Sequence, residues 1–280
     1  MLAYRHLFHA GNFADCFKHA LLAQLILALK QKGKPFFYLD THAGIGRYDL
    51  RHEWAQKLAE WKDGIGRLWG ERQVPEAIAP YLEAVRAENP DGRLRFYPGS
   101  PRIARRLMRS GDRMVACELN KTDCAQLQTL LRDAANTTVQ LMDGYQALRA
   151  FLPPRERRGL TLVDSSFDRA GEYARVAEAL RLAHQRWSTG MLAVWYPLMA
   201  PGEVRTFERG VEQSGVRKIL KLVLAVRPTG WRASLRGCGM LIVNPPWKFD
   251  QIASSMLGWL WERLAVNGAG GHGVEWLVPE

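Results

Sequence analysis

Apolar positions recur with two periods along this chain. Phe13, Phe17, Leu21, Leu25 and Leu29 repeat every four residues, so they share one helical face, and the stripe ends at Gly33. Asn12 stands where an N-cap belongs. The period then vanishes: Phe36 to Leu39 form a continuous apolar run closed by Asp40 and followed by Thr41, His42, Ala43, Gly44, Ile45 and Gly46. A short, wholly apolar run suits a strand buried on both faces. The Gly-x-Gly after it predicts a tight turn where backbone meets a ligand without an intervening Cβ. The third glycine of the dinucleotide fingerprint is absent, so the turn alone decides nothing.

Helical spacing returns with Trp54, Leu58, Trp61, Ile65 and Leu68, and again with Ile78, Leu82 and Val85 after Pro75. Residues 50–93 therefore read as a small helical insertion into a Rossmann-like domain made of residues 1–49 and 94–280. Leu94 to Tyr97 predict a short strand. Ser100 then suits an N-cap and Pro101 the first helical position. Further apolar runs predict strands at Met114 to Cys117, Thr138 to Met142, Leu160 to Val163, Met191 to Tyr196, Ile219 to Val226 and Met240 to Val243. The connection between the last two is too short for a crossover helix, so the final strand must return antiparallel. Asn244-Pro245-Pro246-Trp247 is similar in type to the catalytic motif of amino methyltransferases. An antiparallel strand, however, delivers it to the edge opposite the other strand ends, where a structural role is expected.

The polar residues that close the strands carry the chemistry. Asp40, Glu118, Asp143 with Gly144, and Asp164 each follow one of four strands. Ligands of open α/β sheets bind at those carboxyl ends. An acid after the second strand suits ribose hydroxyls and one after the third an adenine amino group, so the pattern predicts an adenosine-containing cofactor.

Charge adds a partner. Lys and Arg total 39 against 28 Asp and Glu, a net charge of +11, which favours a polyanion. Arg102, Arg105, Arg106 and Arg109 lie at i, i+3, i+4 and i+7 and would form one cationic helix face for phosphates. Solvated surface is the other reading of that face. Cys16, Cys117, Cys124 and Cys238 show no metal-like spacing and sit in apolar patterns, which predicts reduced buried thiols and a cytoplasmic protein. His6, His9 and His19 lack companions for a zinc site, so no metal is expected. The apolar stretch Ala20 to Leu29 is too short to span a bilayer, and no membrane association is expected.

Several blocks together carry a family resemblance. They are Tyr4-Arg5-His6-Leu7-Phe8-His9-Ala10-Gly11-Asn12 with Ala14, Asp15, Lys18 and His19; Leu39-Asp40-Thr41-His42-Ala43-Gly44; Tyr97-Pro98-Gly99-Ser100-Pro101; and Trp276-Leu277-Val278-Pro279-Glu280. In these the whole chain resembles the bacterial 23S ribosomal RNA adenine N6-methyltransferase J family. The resemblance implies an α/β class I S-adenosylmethionine-dependent methyltransferase fold with a helical insertion, S-adenosylmethionine as cofactor, 23S ribosomal RNA as substrate, and a monomer. The family's cofactor contacts fall on Lys18, His42, Ser100, Glu118, Asp143, Gly144 and Asp164, with Asp40 and Gly44 in the same turn. Tyr4 matches its substrate-side tyrosine.

One departure bears on catalysis. The family has Asp-Pro-Pro-Tyr where this chain has Asp164-Ser165-Ser166-Phe167. Asp164 and the Ser165 carbonyl would accept from the target amino group, and Phe167 would stack on the adenine. Losing two prolines frees two φ angles, a change of about 1 kcal/mol each through chain entropy. Slower turnover is expected; an impaired cofactor- and RNA-binding homologue is the alternative. A nicotinamide-dependent oxidoreductase is disfavoured by the missing glycine and the antiparallel strand.

Overall fold

The structure is a computed structural model describing residues 5–232 and 234–280. Its strands are β1 (Phe37–Asp40), β2 (Arg47–Asp49), β3 (Phe96–Pro98), β4 (Arg113–Glu118), β5 (Thr137–Leu141), β6 (Gly159–Val163), β7 (Met191–Pro197), β8 (Ile219–Ala225), β9 (Gly237–Val243) and β10 (Gly271–Val278). The helices are α1 (Phe13–Lys30), α2 (Glu53–Leu58), α3 (Ile65–Trp69), α4 (Ala79–Ala87), α5 (Ser100–Leu107), α6 (Lys121–Leu130), α7 (Gly144–Phe151), α8 (Glu172–Arg186), α9 (Pro201–Glu212) and α10 (Phe249–Leu264).

Eight strands form one sheet in the order β10-β8-β9-β7-β6-β1-β4-β5. β1 pairs in parallel with both β4 and β6. The chain thus winds outward in one direction through β4 and β5, then in the other through β6 and β7. The reversal beside β1 opens a crevice at the carboxyl ends, the usual ligand position in such sheets. β9 lies between β7 and β8 and is antiparallel to both, with Val194 opposite Leu241 and Leu222 opposite Met240. It is not the last strand. β10 adds an antiparallel edge to β8, with Gly271 opposite Ala225. β2 and β3 form a separate two-stranded ladder, pairing Tyr48 with Tyr97.

The central strands β1, β6, β7 and β9 are largely apolar because both faces are covered. Phe36 and Tyr38 face a core shared with α1, α4, α5 and α10. Phe37 and Leu39, of opposite pleat, face a second core with α7, α8 and α9. Residues 50–93 contribute Ile65, Leu68, Ile78, Tyr81 and Val85 to the first core. The Tyr81 hydroxyl lies 3.1 Å from that of Tyr97, so α4 is fastened to β3 by polar as well as apolar contacts.

Two helix starts repay comparison. Asn12 caps α1, its Oδ1 accepting from Asp15 N at 3.0 Å. Ser100 instead is the first residue of α5 after a Gly99 cap and makes no capping hydrogen bond. Its hydroxyl turns to the Asp40 carboxyl.

Candidate active site at the carboxyl ends of the sheet

A cleft of about 510 Å³ opens over the carboxyl ends of β1, β4 and β6 and the start of α7. Its floor is the turn after β1. Gly44 there has φ +61°, and a Cβ would come within 2.3 Å of the Tyr48 hydroxyl. The Gly44 amide donates to Glu118 Oε2 at 3.0 Å, and Glu118 Oε1 accepts from Asn120 N at 2.7 Å. Burial raises the Glu118 carboxyl above the usual range despite these donors. Asp143 caps α7, its Oδ1 accepting from Tyr145 N and Gln146 N, while Oδ2 pairs with Arg175 at 2.9 Å. Burial opposes ionisation of Asp143, but the backbone donors and Arg175 outweigh it and lower its pKa. At Gly144 a Cβ would stand 2.2 Å from the Thr41 carbonyl oxygen and 2.9 Å from the His42 ring. Only glycine lets the two loops close to this distance.

The opposite wall is built on α1. Lys18, buried, places Nζ 2.9 Å from Asp15 Oδ1 and 2.5 Å from Asp164 Oδ2. Burial alone would depress the Lys18 ammonium; the two flanking carboxylates instead raise it well above its ordinary value. Asp15 also accepts from Gly11 N at 2.9 Å and meets His6 Nε2 at 3.0 Å. Its burial, which favours the neutral acid, is outweighed by His6, Lys18 and His19, so its pKa falls well below normal. His19 is sealed behind this group with Nδ1 2.8 Å from the Tyr97 hydroxyl, and burial pushes its pKa down to about 3. Removing Lys18 would leave two carboxylates facing each other in the interior without their shared counter-charge.

Glycine-bounded floor, acids at successive strand ends, and a capped helix start fit an adenosine-bearing ligand. Comparison with known proteins decides the family. The family described as "Ribosomal RNA large subunit methyltransferase D, RlmJ" matches residues 33–278. The chain belongs to this family. It is 42% identical over 281 residues to the "Ribosomal RNA large subunit methyltransferase J" of Haemophilus influenzae and 41% identical over 280 residues to that of Escherichia coli, covering 100% of both partners in each case. A crystal structure of a Legionella pneumophila protein superposes with a TM-score of 0.90 at 35% identity, covering 96% of this chain and 98% of that one. The chain is an S-adenosylmethionine-dependent methyltransferase, built on a mostly parallel sheet with helices on both faces.

Within this methyltransferase, Lys18, His42, Gly44, Ser100, Glu118, Asp143, Gly144 and Asp164 converge on the cleft, together with Ser165 and Phe167. Asp40 does not line it. It is fully buried behind the turn, with Oδ2 accepting from Tyr38 Oη at 2.9 Å and Oδ1 without a partner among the described residues. Burial raises its carboxyl to about 6, against the Ser100 and Tyr38 hydroxyls. A buried acid there shapes the turn from below. Phe167 is packed edge-on against Tyr173 at 4.8 Å and Trp195 at 5.9 Å with φ +52°. That leaves little ring surface to stack on a base. Tyr4 lies outside the described residues.

The arginine face does not form as the spacing predicts. α5 ends at Leu107, and Met108 is already extended, so Arg109 is off the helix. Arg109 instead binds Asp112 at 3.0 Å and the carbonyls of Lys32, Gly33 and Lys34. Arg105 donates to the carbonyls of Arg109, Asp112 and Ala135, and Arg102 pairs with Glu88 at 2.7 Å. Arg105 and Arg109 therefore tie loops at the amino ends of β1, β4 and β5, away from the cleft; Arg106 is exposed. The three histidines part company too: His6 goes to Asp15, His9 to Glu60 at 3.0 Å and His19 to Tyr97.

Sequence reasoning from residues alone did not reach Asp15, Tyr145, Glu172, Arg175 or Trp195. The first four sit in helices whose apolar stripe hid them. A carboxylate three residues before an off-stripe lysine, as in Asp15 and Lys18, was the available signal for one.

Proposed function

We propose that this protein transfers a methyl group to the N6 of an adenine in 23S ribosomal RNA. The observation that carries the reading is Asp164. It closes β6 at the switch point, faces the cleft, and is held in orientation by buried Lys18 at 2.5 Å. A carboxylate held through Oδ2 keeps Oδ1 for the target amino group, whose lone pair is delocalised until acceptors orient it and offset the positive charge that develops.

In this reading Glu118 and Asp143 are the acceptors for ribose hydroxyls and an adenine amino group, and Gly144 keeps the β1 turn and the start of α7 closer than any Cβ would allow. The cofactor supplies an electrophilic methyl on a sulfonium, which needs no metal. The protein's own part is alignment and exclusion of water. Asp164 and the Ser165 carbonyl orient the amine, and Lys18 keeps Asp164 in place. Arg169 at the mouth offers donors to phosphate, and the net charge of +11 draws RNA to the surface.

The test is incubation of the protein with methyl-labelled S-adenosylmethionine and 23S ribosomal RNA lacking its natural methylations, followed by nucleoside analysis. Label in N6-methyladenosine at one position is expected. Binding of cofactor and RNA with no label transferred would favour the impaired-homologue reading, for which Ser165 and Ser166 are the specific motivation.

A further inference from the structure

The loop after β6 is held almost entirely by side chains. Among the described residues, no backbone hydrogen bond engages residues 165–168, yet Ser165 and Phe167 are buried and Phe167 is left-handed. Buried backbone without a ladder needs other anchors. Ser165 Oγ donates to Glu172 Oε1, and Tyr145 Oη donates to the same oxygen at 2.5 Å. The three groups come from three elements: the β6 loop, the first turn of α7 and the first residue of α8. Arg175, one turn further along α8, lies 4.1 Å over the Tyr145 ring and pairs with Asp143. The His42 ring meets Tyr145 edge-on at 5.3 Å. A continuous chain of contacts thus runs from the acid at the cofactor end of the cleft to the loop that presents Asp164.

We infer that Glu172 and Tyr145 are positioning residues for methyl transfer, which pin Ser165 and thereby fix the Asp164 and Phe167 on either side of it. The inference rests on the methyltransferase reading of the cleft. Hydrogen bonds from hydroxyls to a carboxylate are among the stronger ones, and fixing a short loop before substrate arrives removes an ordering cost from the reaction. Neither Glu172 nor Tyr145 has to touch the amine or the methyl group, and the Ser165 hydroxyl that they hold is not the carbonyl that meets the amine. Ser165 transmits the constraint through the backbone, Glu172 receives it, and Tyr145 keeps the Glu172 carboxylate turned toward the loop.

The test is a double-mutant cycle of Ser165→Ala and Glu172→Ala, with Tyr145→Phe and Glu172→Gln beside it. Three quantities are read: the single-turnover methylation rate, the steady-state KM for S-adenosylmethionine, and amide hydrogen exchange of residues 165–168 in the free protein. Ser165→Ala and Glu172→Ala should each slow methyl transfer about tenfold, the double variant no more than the slower single one, with cofactor KM changed by less than about twofold. Tyr145→Phe should slow it about threefold, and Glu172→Gln, which keeps an acceptor oxygen, should stay within about threefold of the natural protein. Exchange at 165–168 should quicken in Ser165→Ala and Glu172→Ala; this readout does not depend on which RNA is methylated, so it separates failure of the clamp from failure of the functional reading. If Glu172→Ala does not fold, Ser165→Ala and Tyr145→Phe carry the same comparison. Unchanged exchange and rate in Ser165→Ala, effects that multiply in the double variant, or a cofactor KM rising in step with the lost rate would each overturn the inference.

Discussion

Asp40 and Gly144 mark two ways a single residue can shape this site without touching the methyl group. Asp40 is an acid in the wrong solvent: burial raises its carboxyl to about 6, so between the ordinary carboxylate value and that pH the folded protein holds a proton that the unfolded chain has released. Stability from this group is therefore full at low pH and lost as pH rises through about 6. Asp40→Asn removes that dependence. Denaturant unfolding of both proteins at pH 4.5 and pH 8 should show the variant gaining about 2 kcal/mol more, relative to the natural protein, at the higher pH; an equal difference at both would contradict the assignment. Gly144 acts by its missing side chain. With the Thr41 oxygen 2.2 Å from the position of a Cβ, Gly144→Ala must push the α7 start away from the β1 turn. S-adenosylmethionine affinity by calorimetry should fall at least about tenfold, roughly 1.4 kcal/mol; undiminished binding would place the cofactor elsewhere.

Elements explain which parts of the sequence were readable. β1, β4, β6, β7 and β9 are buried on both faces and read as continuous apolar runs, so their order and their terminal acids were legible. β10 was not: Gly271, His272, Gly273 and Glu275 mix polar and small residues because an edge strand has one covered side. β2 was hidden for another reason, being three residues long and paired only with β3. The arginines of α5 show where periodicity misleads. Residues 102 to 109 have helical spacing, but the helix ends at Leu107 and neighbouring carbonyls capture the guanidinium groups. Arg109→Ala should accordingly lower stability by about 1–3 kcal/mol, since it leaves the fully buried Asp112 carboxylate short of donors, and should leave the salt dependence of RNA binding unchanged. A flatter salt slope in a filter-binding titration, with unaltered stability, would restore the phosphate-contact role.

At the scale of the molecule, one topological fact sorts two similar motifs. Asp164 follows β6, parallel to β1, and so reaches the cleft beside Glu118 and the β1 turn. Asn244 follows β9, antiparallel to β7, and emerges at the other edge, where its Nδ2 donates to the carbonyls of Ser188 and Gly190, both at 2.8 Å. The sequence alone was sufficient for this distinction because strand direction follows from connection length. Side-chain partners such as Asp15 for Lys18 or Glu172 for Ser165 required the packed helices, whose approach no local pattern encodes. The most direct measurement is single-turnover methylation of unmodified 23S ribosomal RNA by the natural protein, Asp164→Asn and Asn244→Ala, each shown to be folded by circular dichroism. The account predicts a loss of at least about a hundredfold for Asp164→Asn, roughly 2.7 kcal/mol of barrier, and near-natural rates for folded Asn244→Ala. Full activity in Asp164→Asn, or activity lost only in Asn244→Ala, would contradict it.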